Sequence, residues 1–312
     1  MVSSDTMTVS IRLGLLAALA ADARFGDPRR GHPVAAFGRA AGWWEARTWR
    51  DSRTAGLGYA AVCVGTPVAV GVALRHRRAA LPIAVWACLG GTTLTRVADV
   101  MHRHLADGDL TAARELVSSL CGRDPQSLDA AGIARATVES VAENTSDAGV
   151  APLVWAAVAG IPGVLGYRAV NTLDAMVGYR TDRHLRFGWA SACTDDLANL
   201  LPARLAALLA CLLAPLVGGT PHGAWMAWRA DAARHPSPNA GCVEAAFAGA
   251  LGLQLGGPTV YGGRAEQRPN LGSGRSPEPA DIARAARLSR AIVVAAALLA
   301  SVRIRRRQEQ EQ

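Results

Sequence analysis

Acidic, amide and guanidinium side chains recur at short intervals in four polar segments of this chain. Their types suit the binding of a metal-bound phosphate. In RATVESVAENTSDAGVAP, Arg135 to Pro152, the residues Arg135, Glu139, Glu143 and Asp147 follow one another at i, i+4, i+8 and i+12. On a helix each step drifts about 40° and rises about 6 Å, so neighbours share a face. Glu139 and Glu143 can then reach one cation together. Glu139 and Asp147, roughly 12 Å apart along a straight helix, cannot do so directly. Mg²⁺ commonly takes one or two carboxylates and fills its other positions with water and phosphate oxygens. The bland alternative is a salt-bridge ladder on a solvated face. Here, however, the ladder runs straight into an apolar block, and a charge at mid-bilayer costs about 2.5–3.5 kcal/mol, so charges abutting membrane are usually kept for function.

The other polar segments extend this pattern. In YRAVNTLDAMVGYR, Tyr167 to Arg180, the residues Arg168, Asn171 and Asp174 recur every three positions, within reach of one ligand. Asp195 and Asp196 precede Asn199 and Arg204 at helical spacing. Adjacent aspartates followed by an amide suit Mg²⁺–phosphate, with arginine as a planar clamp for oxygens, although helix capping explains many Asp-Asp pairs. DARFGDPRRGHPVAAFGR, Asp22 to Arg39, sets Asp22, Asp27 and His32 among turn-forming glycines and prolines. HPSPNAG supplies His235 and Asn239, and LGGPTVYGGR supplies Gly256, Gly257, Gly262, Gly263 and Arg264. Those glycines permit close backbone approach to an anion that Arg264 can pair with. No strand is expected before them, so this is not a dinucleotide-binding fingerprint.

The elements that must position these residues are apolar. Of 312 residues half are hydrophobic and only 19% are charged, with a mean hydropathy of +0.15. That composition excludes a disordered chain and points away from an ordinary soluble enzyme. All 33 basic residues are arginine, which excludes the lysine of a phosphate-binding loop and any Schiff-base mechanism. The six cysteines form no CxxC pair and serve as small apolar residues. Ala55 to Leu74 is long enough to cross a bilayer, and Ala79 to Thr95 nearly so; a short arginine-rich turn between them predicts a helical hairpin. Ala148 to Tyr167 is interrupted by Pro152, Gly160, Pro162, Gly163 and Gly166. Leu205 to Trp228 is broken at Pro215 and Gly218-Gly219, and Ala291 to Val302 precedes a basic tail, 303–312. Leu13 to Ala21 resembles a signal sequence but leads into membrane blocks, so an uncleaved, partly inserted helix is expected. The segments Asp22–Arg53 and Arg96–Asp147 carry seven and five arginines against three in the hairpin turn. That asymmetry places both segments in the cytoplasm. The arginines flank apolar blocks and only 5% of residues are aromatic, which argues against nucleic acid. The expected architecture is a single all-α, polytopic membrane bundle over 1–312, with re-entrant or broken helices and polar cytoplasmic motif loops.

In this order, the segments resemble one family. ESVAENTSDAGVAPLVWAA, YRAVNTLDAMVGYR, DDLANLLPARL, HPSPNAG and GGPTVYGGR are together similar to the CobD/CbiB family of adenosylcobinamide-phosphate synthases, over about residues 22–288. The departures, at Thr145, Ala148, Thr194 and Cys242, remove no charged motif residue. The resemblance implies a multi-pass protein of the inner, cytoplasmic membrane. It implies ATP-dependent amide formation between adenosylcobyric acid and (R)-1-amino-2-propanol phosphate, or aminopropanol itself, and other enzymes of the cobalamin pathway as possible companions in the membrane.

An amide forms from carboxylate and amine only after activation. ATP would phosphorylate the corrinoid carboxylate, and the amine would attack the acyl phosphate. The residue types then assign Glu139, Glu143 and Asp147 to Mg²⁺–ATP, and Asp195, Asp196 and Asn199 to a second metal or the amine. Arg168 and Arg204 would clamp phosphate oxygens. Asn171, His235 and Asn239 would line the substrate. Arg264 with Gly262 and Gly263 would take the aminopropanol phosphate or the nucleotide, and His32 or Asp174 the amine proton. A membrane prenyltransferase-like enzyme would need two comparable aspartate-rich motifs, which the chain lacks. A transporter would favour internal repeats, and none is found between the halves.

Overall fold

Apolar blocks closed by arginine fold as helices because a helix satisfies its own backbone in hydrocarbon. The computed structural model describes residues 4–27, 31–77, 79–120, 125–261 and 264–309, without the side chains of 4–12, 260–261, 264–266 and 302–309. The first helices are α1 (Ser4–Phe25), α2 (Pro33–Thr48), α3 (Arg53–Leu74), α4 (Ala80–Cys88), α5 (Gly91–Ala106) and α6 (Leu110–Val117). Then come α7 (Ala130–Asn144), a π-helical turn at Thr145–Val150, α8 (Ala151–Val177) and α9 (Trp189–Leu213). The chain continues with α10 (Pro221–Asp231), α11 (Ala240–Leu251), the strands β1 (Leu255–Tyr261) and β2 (Arg264–Leu271), and α12 (Pro279–Glu309). Four helical stretches, Arg53–Leu74, Ala80–Ala106, Ala130–Val177 and Trp189–Val217, are long and apolar enough to cross a membrane. The protein is an all-α, polytopic membrane protein.

Two compact units form. One comprises residues 1–90, 147–200 and 296–312, the other 91–146 and 201–295. In the first, α3 and α4 both pack on α8, and α1 packs on α4. Its core gathers Tyr59, Phe187, Leu173 and Val177, with the two rings 5.0 Å apart. In the second, α10 lies along the almost wholly buried α11, and α5 and α6 pack on α7.

The central feature of the first unit is a reversal inside α8. Gly160 has φ 63° and ψ −144°, a conformation essentially confined to glycine. Asp147 and Asn171 would stand about 36 Å apart on a straight helix, yet their side chains meet at 3.3 Å. The stretch is therefore a folded-back pair of arms. Its tip lies against α3, where a Cβ on Gly71 would stand 2.6 Å from the Pro162 Cα. The break expected from the Pro and Gly interruptions falls at Gly160.

Two local expectations need correction. Ala79 to Thr95 is two helices, because Leu89 is extended and the Gly90 N–H bonds the Ala148 carbonyl at 2.9 Å. No strand is expected before LGGPTVYGGR, whereas the segment itself forms β1 and the start of β2 of an antiparallel two-stranded ribbon. Pro258, Pro269 and the glycines mask its alternation, while Thr259, Val260 and Tyr261 supply residues that favour strands.

At the start of α12, the fully buried Asp281 accepts a bidentate pair from Arg275 at 2.7 and 2.9 Å, one bond from Arg284 at 2.7 Å and one from the Glu278 N–H at 2.9 Å. Burial alone would raise its carboxyl. The bonds from Arg275, the Glu278 N–H and Arg284 outweigh burial and hold it below the ordinary carboxylate value. Folding thus favours the ionised form, so its stabilisation is complete above about pH 4 and fades as pH falls through the folded-state value. Asp281→Asn is expected to cost about 3–5 kcal/mol at neutral pH, with the gap to wild type closing as thermal unfolding is followed toward pH 3. A gap that does not change with pH would refute this.

Candidate functional site

The reversal at Gly160 brings polar residues from three stretches of the first unit into one connected ring. The Asn171 amide nitrogen donates to Asp147 Oδ2 at 3.3 Å and to Asp195 Oδ1 at 3.4 Å. Its carbonyl oxygen accepts from Arg168 Nη1 at 3.3 Å. Asn199 Nδ2 donates to Asp195 Oδ2 at 3.0 Å. The Tyr167 hydroxyl closes the circuit, lying 2.9 Å from Asn199 Oδ1 and 3.1 Å from the Asp147 carbonyl. The sequence marked Asp147, Arg168, Asn171, Asp195 and Asn199. It missed Tyr167, whose only local signal is a hydroxyl at the end of an apolar run.

The ring has the composition of a site for Mg²⁺ with a phosphate. Two carboxylates share one amide donor, an arrangement whose like charges a cation would relieve. Among the described residues Arg168 keeps a buried Nε without a hydrogen-bond partner, a donor that an anionic oxygen would satisfy. The residues present therefore fit a metal-bound phosphate, although among the described residues no three His, Cys, Asp or Glu side chains converge as a metal cluster.

The neighbouring candidates in this unit separate. Asp195 faces the ring whereas Asp196, one residue on, is exposed, because adjacent helical positions point about 100° apart. Asp174 is half-buried near the end of α8, and its carbonyl accepts from the Gly178 N–H at 2.7 Å. His32 caps α2 through Nδ1, which accepts from the Val34 N–H at 3.1 Å. Its Nε2 lies 3.9 Å from Asp27.

The second unit holds the remaining candidates in two groups. Arg204 Nη1 donates to Asn239 Oδ1 at 2.6 Å. Beside Asn239 in the chain, His235 Nδ1 accepts from the Ser237 N–H at 3.1 Å, which leaves the proton of the neutral ring on Nε2. That nitrogen stands 3.9 Å from Glu244, and both side chains are buried. In the other group, the buried Glu139 accepts from the Gly256 N–H at 2.7 Å, and Arg135 Nη2 donates to the Pro258 carbonyl at 2.7 Å. Arg135 and Glu139 thus face the ribbon. Glu143 is exposed. The π-helical turn changes the angular spacing just before Asp147, so the 3.6-residue period does not carry from Glu143 to it. Arg264 begins β2, its side chain lies outside the described residues, and so do Gly262 and Gly263.

The family model described as CobD/Cbib protein matches residues 15–289. The chain belongs to the CobD/CbiB family. Among CobD/CbiB relatives, the cobalamin biosynthesis protein CobD of Mycobacterium tuberculosis is 54% identical over 97% of both chains. The protein of the same name from Rhodobacter capsulatus is 44% identical over 84% of this chain and 86% of its own. That of Geobacter metallireducens is 43% identical over 84% and 87%. No solved structure matches the chain significantly. The polar ring and both groups of the second unit fall inside the matched span.

Tyr167→Phe removes the one hydroxyl that links Asn199 to the Asp147 carbonyl. Leaving a buried acceptor unsatisfied costs about 1–3 kcal/mol, so thermal unfolding in detergent should shift down accordingly. An unchanged midpoint would show that the ring is not closed through Tyr167.

Proposed function

We propose that this chain is an ATP-dependent amide ligase of cobalamin biosynthesis, joining a carboxylate of adenosylcobyric acid to aminopropanol phosphate or aminopropanol. The net reaction consumes carboxylate, amine and ATP and yields amide, ADP and phosphate. The observation that carries the reading is the polar ring: paired carboxylates, an amide and an arginine with a buried, unpartnered nitrogen, inside the span that matches the family. Its surroundings support it as well, since Tyr167 and Asn199 of the ring are buried and charge interactions strengthen where water is excluded.

Mg²⁺–ATP, when bound, supplies the phosphoryl group that activates the carboxylate. In this reading Asp147 and Asp195 hold the metal, with Asp196 and Asn199 as further candidates for metal or amine. Asn171 keeps the two aspartates oriented. Arg168 neutralises charge on the transferred group, and Arg204, held by Asn239, takes a phosphate oxygen. Arg264 with Gly262 and Gly263, and His235 beside Asn239, contact the substrates. His32 or Asp174 accepts the amine proton. The arginine asymmetry supports a cytoplasmic side of the cytoplasmic membrane for Asp22–Arg53 and Arg96–Asp147, where ATP is present.

Purified protein supplied with adenosylcobyric acid, the amine, ATP and Mg²⁺ should release one ADP per amide, with the product identified by mass. Asp195→Asn should lower kcat roughly 100-fold while the fold, followed by thermal unfolding, persists. Corrinoid binding without ATP turnover would mark a carrier and end the ligase reading.

A further inference from the structure

A cavity of about 330 Å³ opens in the first unit, where the end of α2 meets the first turns of α3. Its wall changes chemistry along the chain. Trp44, Arg47 and Arg50 come before α3, whereas Ala55, Gly58 and Val62 lie on α3, a helix long and apolar enough to cross a membrane. Leu57 and Val62 are more than half exposed, as the lipid-facing side chains of such a helix are. Tryptophan gathers around the mouth. Trp43 and Trp44 stack 6.1 Å apart, the Arg47 guanidinium lies 3.7 Å over Trp43, and that of Arg183 lies 4.6 Å over Trp49. Tryptophan is enriched where headgroups meet hydrocarbon, which is the level that the start of α3 would occupy.

The charge of the cavity has one sign. Among the described residues no acidic side chain lines it. The acids beside it in the chain are engaged elsewhere: Glu45 accepts from Arg183 Nε and Nη2, both at 3.2 Å, and Asp51 Oδ2 lies 3.7 Å from Arg186 Nη1. Arg47 and Arg50 are both exposed. Arg47 donates through Nη1 to the Trp43 carbonyl at 3.1 Å, and its fork keeps further N–H donors. Guanidinium donors suit phosphate oxygens, while the arginine stems can lie on apolar surface. A free phosphate would satisfy the arginines but leave the α3 wall uncovered. Gly58 keeps that wall open, since a Cβ there would meet no atom within 4 Å.

We propose that this cavity holds one anionic glycerophospholipid, its phosphate between Arg47 and Arg50 and the start of an acyl chain along Ala55, Gly58 and Val62.

Native mass spectrometry of the full chain in detergent tests this, with phosphatidylglycerol, phosphatidylethanolamine of the same acyl chains and glycerol 3-phosphate as probes. One phosphatidylglycerol should be retained at least about fivefold in preference to phosphatidylethanolamine, the scale of one arginine beside an anionic headgroup. Glycerol 3-phosphate should not displace it. Arg47→Gln and Arg50→Gln should each weaken phosphatidylglycerol roughly fivefold. Gly58→Leu, which fills the wall from an open position on the helix, should weaken it similarly and decides the matter if the arginine variants do not fold. Arg53→Gln, outside the cavity, should leave the affinity unchanged. Equal retention of the two lipids, displacement by glycerol 3-phosphate, or unchanged affinity in both arginine variants or in Gly58→Leu would each overturn the site. A loss in Arg53→Gln as large as that in Arg47→Gln would show attraction to the basic surface in general and would overturn it as well.

Discussion

Polar side chains set within apolar helices must find their partners inside the protein, because hydrocarbon offers none. In this chain that constraint is met by a change of direction at Gly160. The two arms of α8 run back alongside each other, so that Asp147 ends beside Tyr167 and Asn171. Without the reversal, Asp147 would lie some 36 Å from Asn171, and its bonds to Asn171 and Tyr167 would not form. The first unit of the fold serves this arrangement: α3 receives the tip of the reversal, and the broken end of α4 takes the Ala148 carbonyl through Gly90.

The same requirement explains the second unit's polar residues. Glu139 and Arg135 each bond a backbone group of the ribbon more than a hundred residues away. Asp281 gathers two arginines and a backbone N–H. Arginine suits such places because its charge persists on burial and its fork can serve two acceptors at once. A chain that uses arginine for all 33 of its basic positions is consistent with that demand.

Much of the site was legible in the sequence. Asp147, Arg168, Asn171, Asp195 and Asn199 stand out as polar residues inside or against apolar blocks, and the Pro and Gly interruptions signalled the broken arm. What escaped was non-local. Which of Asp195 and Asp196 turns inward depends on how α9 is rotated, and nothing within its own sequence fixes that rotation. Tyr167 looks like core until its hydroxyl is seen between Asn199 and the Asp147 carbonyl. The pairing of Glu139 with Gly256 depends on a ribbon whose prolines and glycines hide its alternation. The ladder spacing from Arg135 to Asp147 assumed one regular helix, and the π-helical turn breaks it.

The reversal can be measured directly by thiol cross-linking in membranes, in a background without the native cysteines. Asp147→Cys paired with Asn171→Cys should be joined within one chain by a short bifunctional thiol reagent, as should Asn171→Cys paired with Asp195→Cys. Cross-linking of the second pair but not the first would mean that α8 runs straight, and the account of the polar ring would fall.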